Sequence, residues 1–398
     1  MPSITDEERR ERLAERHFLA VRGPSLVGVA DGLVGLHATD PASVFMSAWA
    51  RLDELTRDVV EEALYESRTL AKVLGMRRTM FVVPPDLAAV VDRACTQALY
   101  AGERRKLERM VAEQGLVTDA GAWVDGVVAD VLRVLGEHGE LTAVQIGKLV
   151  PDFGRTLRFG EGRKWAADVG VSTRVLFLMS TGLQIVRARP LGSWLSSQYR
   201  WAATTDWLGQ LPAISPADAR AQLARRYLAT FGPATRSDLA WWTGWPLGQT
   251  DAALAAVDAQ SVRLDSGTTG FVLPADAGPS GEAKRRRAKS SSHWVALLPS
   301  LDPTVMGWKE RDWYLGGYRH ALFDPYGNAG PTVWYDGRIV GGWGQNGAGT
   351  VVFELFEDVP SSARRAIAAR AAALQEWLGG TKVTPRFRTP FEKSLAGA

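Results

Sequence analysis

The chain has 398 residues, and 47 basic against 44 acidic side chains leave a net charge of only +3. That length exceeds one ordinary core and sets an expectation of two to four domains. The near balance of charge excludes a histone-like polycation, so an anionic partner has to be met by a local patch. Cys95 is the single cysteine, which excludes an internal disulfide or a cysteine-rich zinc site and fits a reducing cytosol.

In chain order, residues 4–20 read as a charged amphipathic helix starting at Thr5 or Asp6, with Leu13, His17 and Phe18 on one side, and not as a signal peptide. A hydrophobic run over 25–36 then stops at a break, His37-Ala38-Thr39-Asp40-Pro41. Residues 41–52 read as a packed helix with Pro41 at its first position. A further helix is expected over 56–74, followed by the β-branched and aromatic run Met80-Phe81-Val82-Val83, stopped by Pro84-Pro85. Helices followed by a short strand pair are the sequence form of a winged helix.

The plan recurs twice. A helix over 123–139, a second from Thr142 as N-cap, and a third over 172–182 lead into strand, Pro-Leu-Gly turn and strand across 183–202. Then come a helix over 217–232, a short helix capped by Thr235 or Ser237, a helix over 249–258 and two strands within 261–273, with 267–270 as their turn. Residues 276–292 are poor in apolar side chains and rich in Gly, Ser and cations, as a linker would be. Beyond them the pattern turns to strands, with Asp336-Gly337 as a hairpin turn, and a helix over 362–378. The expected class is α+β: three tandem winged helices and a C-terminal β-rich, barrel-like domain with one helix. The boundaries fall at 1–118, 119–212, 213–278 and 279–398.

Five stretches in order give the chain a family resemblance: the break at 37–41, MRRTMFVVP at 76–84, RPLGSWLSSQYRW at 189–201, LLPSLDPTVMGWKERD at 297–312 and VWYDGRIVGGW at 333–343. Together they resemble the AlkZ/YcaQ-like winged-helix DNA glycosylases over about residues 15 to 380. The resemblance implies tandem winged helices around a basic concave face and excision of N-alkylated purines, with interstrand crosslinks unhooked by some members and toxin self-resistance as one role. It also implies a catalytic Gln-apolar-Gln or Gln-apolar-Asp triplet in the first winged helix. Here that triplet reads His37-Ala38-Thr39, with both functional side chains changed.

Alkylation at N7 or N3 makes a purine cationic and a good leaving group, so the enzyme has to stabilise an oxocarbenium-like sugar and place one water. Neutral His37 can orient or deprotonate that water. The Thr39 hydroxyl can hold water or phosphate but is no base near neutrality. Asp40 offers a supporting carboxylate, although its place before Pro41 suits a helix cap. With no lysine in the triplet, hydrolysis is expected rather than a lyase reaction. Packing between helices is the plain alternative for His37.

Phosphate contacts are expected from Arg77 and Arg78, from Arg155, Arg158, Arg163 and Lys164, and from Arg187, Arg189 and Arg200 flanking a wing, with Trp194 there to stack on a base or wedge the duplex. Each is also readable as solvated surface, and Trp194 as core. The cations at 284–289 read as linker, with sweeping of the backbone as a lesser role. The five histidines have no metal-ligand spacing, and no phosphate-binding glycine loop appears, so neither metal nor cofactor is expected. No apolar run reaches the roughly 18–20 residues of a membrane helix. The expectation is a monomeric, cytoplasmic, nucleoid-associated enzyme on damaged double-stranded DNA. Its rival is a non-catalytic winged-helix regulator or lesion binder, ranked second because nothing resembles a dimerisation helix.

Overall fold

A computed structural model describes residues 1–115, 117–159, 167–277 and 293–397. It is a mixed α+β structure that divides into two compact units, one of residues 1–60 with 220–398 and one of residues 61–219. The first sequence segment, 1–118, contributes to both.

In the first unit, Thr5 caps helix Asp6–Arg16 in a capping box with Glu8. The helix stops short of the expected residue 20. His17 and a left-handed Phe18 (φ 56°) break it, because His17 is drawn into the core, where it bonds Thr304 and the Thr230 carbonyl. Ser25 caps helix Leu26–Gly32, and Asp40 caps Pro41–Trp49 with Pro41 at the first turn. Strands Ser3–Ile4, Gln260–Leu264, Thr269–Val272 and Ala234–Thr235 form one four-stranded sheet, in that order. Beside it lies helix Arg236–Thr243, whose cap is Thr235.

The C-terminal sheet of this unit is an antiparallel meander of Val295–Leu298, Thr332–Tyr335, Arg338–Gln345 and Val351–Leu355. Its end strands do not pair with each other, so the barrel-like closure expected from sequence is corrected to an open sheet. Helix Ser361–Leu378 packs on it through Ile367, Ala371 and Leu374. The short helix Pro390–Ala396 packs against strand Arg338–Gln345. A Cβ at Gly342 would sit 2.5 Å from the Phe391 ring, so only glycine admits that approach.

In the second unit, five antiparallel strands lie in the order Met80–Val83, Ala71–Leu74, Ile185–Pro190, Tyr199–Ala203, Leu141–Thr142. Ala71–Leu74 was expected to end a helix and is instead a strand. The helical run stops after Glu62–Glu66, and Arg68 turns left-handed (φ 54°) with its guanidinium over Trp207 at 4.0 Å. All four side chains of the strand are then buried on both sheet faces, a burial that overrides helical period. Helices Gln97–Glu113, Ala120–His138 and Val171–Thr181 close the core through Leu107, Val111, Val124, Val131, Val175 and Met179.

Candidate active site

The triplet stands where one helix has ended and the next has not begun. Val34 (φ 55°) and Gly35 (φ 105°) are left-handed and swing the chain out of helix Leu26–Gly32 into the extended pair Leu36–His37. Asp40 then starts the following helix, accepting from the Ala42 amide at 3.2 Å. The extended pair ends at His37, and Thr39 lies in the bend between it and the next helix. His37 is buried, with 4% of its surface exposed, Ala38 is fully buried and Thr39 is half-buried. The Thr39 amide approaches His37 Nδ1 at 3.5 Å.

Asp40 is tied at both oxygens. Besides Ala42 on Oδ1, Oδ2 accepts from the backbone amide of Arg386 at 3.0 Å. Burial pushes its carboxyl above the usual range, while the two amide bonds and the Arg386 charge pull the other way. A carboxylate held so by backbone donors is a cap and a tether. Beside it lies a small cavity whose walls include Asp40, Met46, Ser300, Trp343 and Gln345.

The helix after the triplet is itself pinned from below. The Ser43 hydroxyl donates to the Ser300 carbonyl at 2.6 Å and Ser47 to Asp302 Oδ2 at 2.7 Å. Just past the helix, Arg51 makes a bidentate pair with Asp302 at 2.8 and 2.7 Å, and donates to Thr304 and the His17 carbonyl. Arg51 and Asp302 have no exposed side-chain surface. Arg51 holds the Asp302 carboxyl below its usual range against its burial. Burial and the Arg51 charge push His17 down to about 3, so that ring is neutral.

A family model described as DNA glycosylase AlkZ-like matches residues 30–377. The chain belongs to the AlkZ-like DNA glycosylase family. No curated protein matches it. Among solved structures it is similar to the Streptomyces sahachiroi DNA glycosylase AlkZ, with a TM-score of 0.71 at 20% identity over 96% of this chain and 99% of that one. At that identity the likeness is one of fold.

In this AlkZ-like chain the cations expected to meet phosphate lie in the second unit, and several already have partners there. Arg189 bonds Glu61 at 3.2 Å and also Glu66, over the Tyr65 ring. Arg155 pairs with Asp152 at 2.7 Å, and Arg78 with Glu103 at 3.4 Å. Arg187 lies over the rings of Tyr199 and Trp201 at 4.9 and 5.4 Å. Arg158 is exposed on strand Thr156–Phe159, opposite Asp168 in register, and Arg200 is half-buried on strand Tyr199–Ala203. Arg77 and Arg78 occupy a hairpin turn with φ of 53° and 60°, a left-handed pair that non-glycine residues seldom adopt. Trp194 is buried, with 7% exposed, so stacking on a base requires it to leave its packing. Arg163 and Lys164 lie outside the described residues, as do the cations of 284–289.

Two residues, one in each unit, have no local sequence signal for where they lie. Arg386 comes to the triplet from the far end of the chain, and its only sequence mark is a pair of arginines around Phe387 between two prolines. Lys72, 2% exposed, sits in register with Arg187, within a run that reads as helix and so hides the cross-strand pairing. Among the described residues no group of three or more His, Cys, Asp or Glu side chains is placed to hold a metal, and no helix is long and apolar enough to cross a membrane.

Proposed function

We propose that this chain hydrolyses the N-glycosidic bond of purines alkylated at N7 or N3 in double-stranded DNA, bulky or crosslinked adducts included, using His37 and Thr39 where the family carries Gln-x-Gln or Gln-x-Asp. The observation that carries the reading is the placement of this triplet, within the family match, in the short link between the left-handed turn at Val34-Gly35 and the helix cap at Asp40. The three-winged-helix organisation, monomeric state, nucleoid setting and toxin-resistance role belong to the same proposal.

In the proposed reaction the C1′–N bond breaks with its electron pair leaving on the cationic purine, which departs as a neutral base. Water attacks C1′ and gives up a proton, leaving an abasic site. If the Thr39 amide donates to Nδ1, the neutral ring carries its proton on Nε2. In that state Nε2–H orients the water by donating to its oxygen, much as a glutamine amide does, and Thr39 assists through its hydroxyl. The proton then passes to solvent and His37 does not act as the base.

One observation favours a second reading. A histidine with only 4% of its surface exposed is what a packed, non-catalytic winged-helix DNA binder would show. Base release decides between them. Purified protein on methylated DNA is expected to liberate 7-methylguanine. His37→Ala leaves the water unoriented and is expected to cut the rate by about 100-fold, with duplex affinity kept, and His37→Gln to retain much of it. No release from a broad adduct panel, with binding intact, would establish the binder.

A further inference from the structure

We propose that Arg386 is a phosphate-binding residue at the edge of the triplet, supplied by the C-terminal segment and holding the DNA backbone beside the damaged nucleotide. This rests on the reading of the triplet as the place where that nucleotide sits, and it goes beyond that reading because Arg386 lies outside the span of the family match.

Three observations carry it. The Arg386 amide donates to Asp40 Oδ2 at 3.0 Å, so its Cα is fixed at the residue that ends the HATD break. Its side chain turns back along the triplet, where Nη1 lies 3.4 Å from the Thr39 carbonyl oxygen. The residue is exposed, and among the described residues it has no ion-pair partner. Arg388, two residues on, spends its guanidinium on Glu392 at 2.7 Å. A guanidinium has five N–H donors in a planar fork that matches a phosphodiester, and a single long contact to a carbonyl leaves most of them for a ligand. Folding thus brings a positive group to the triplet by a backbone tether that does not involve the charge.

That tether makes the test clean, because any substitution except proline keeps it. The experiment measures the affinity of the full-length protein for a duplex carrying a tetrahydrofuran abasic analogue, and for the undamaged duplex, across a salt series. One phosphate contact contributes a slope of about 0.9 in log K against log salt, which at 0.1 M salt is about an eightfold loss relative to 1 M. Arg386→Gln is expected to weaken analogue binding by about that factor and to flatten the slope by about 0.9, with the melting temperature unchanged, while Arg386→Lys recovers most of both. Inorganic phosphate at matched ionic strength is expected to leave the wild-type affinity unchanged. Displacement by it would make this a free-phosphate site and overturn the proposal, as would an unaltered slope in Arg386→Gln. These are binding readings, so they stand or fall separately from base release: a wild type that binds the analogue but frees no purine fails the glycosylase reading alone.

Discussion

A carboxylate beside a histidine invites assignment as a catalytic base, and Asp40 shows why the local chemistry has to be read first. Both its oxygens take backbone amides, one two residues ahead and one 346 residues away, so its work is to join the break to the C-terminal segment. Lys72 is the opposite case, a charge with little in the fold to favour it. It is buried across from Arg187, and desolvation, then that like charge, lower its ammonium to about 7, with the Tyr199 face at 4.7 Å as partial compensation. The unfolded chain holds the proton up to about 10.4, so stability rises with pH between about 7 and 10, and below 7 the cost of burying the ammonium is borne in full. Lys72→Met keeps the unbranched stem and removes the charge. Its gain in stability is expected to be about 1–3 kcal/mol larger at pH 6 than at pH 9, read from denaturation at both. An equal change at both pH values would show that Lys72 is not desolvated.

At the level of elements, the helix Pro41–Trp49 is the part that positions the triplet, and its foot is the buried Arg51–Asp302 pair. Removing one partner of such a pair leaves an uncompensated charge in the core. Asp302→Asn is therefore expected to cost about 3–5 kcal/mol in chemical denaturation, and Arg51→Met combined with Asp302→Leu to recover much of that. A loss below about 1 kcal/mol would mean that water reaches the pair. The caps at Asp40 and Thr142 are legible in the sequence, and those at Thr5 and Thr235 to within one alternative each, Asp6 and Ser237, because a cap is made within three residues. So is the break at His37, for the same reason. The strand Ala71–Leu74, the open C-terminal sheet and the arrival of Arg386 at Thr39 are not, since each depends on partners distant along the chain and no local period encodes them. Helix Gln97–Glu113 is hidden in the sequence for a different reason: its exposed face carries enough charge to dilute the apolar stripe that ends in Leu107 and Val111.

For the whole molecule, a net charge of +3 spread over two units leaves no general field to hold DNA, so affinity has to come from particular cations. The arginines of the second unit are not placed alike. Arg189 already bonds two carboxylates, and neutralising it exposes those acids as much as it removes a cation. Arg158 is exposed on a strand, with Asp168 across from it and no ion pair among the described residues. Counterion release separates the two, because only a cation that displaces ions from phosphate alters the salt slope. Arg158→Gln is expected to flatten log K against log salt by up to about 0.9 on undamaged duplex. Arg189→Gln is expected to leave that slope within error and to lower the stability of the second unit by under about 1 kcal/mol. If Arg189→Gln flattens the slope as much as Arg158→Gln, its ion pairs exchange for phosphate on binding, and the acids at 61 and 66 act as a gate on DNA. If neither does, these arginines form a solvated face, and contact with the duplex falls to the first unit, where Arg386 stands beside the triplet.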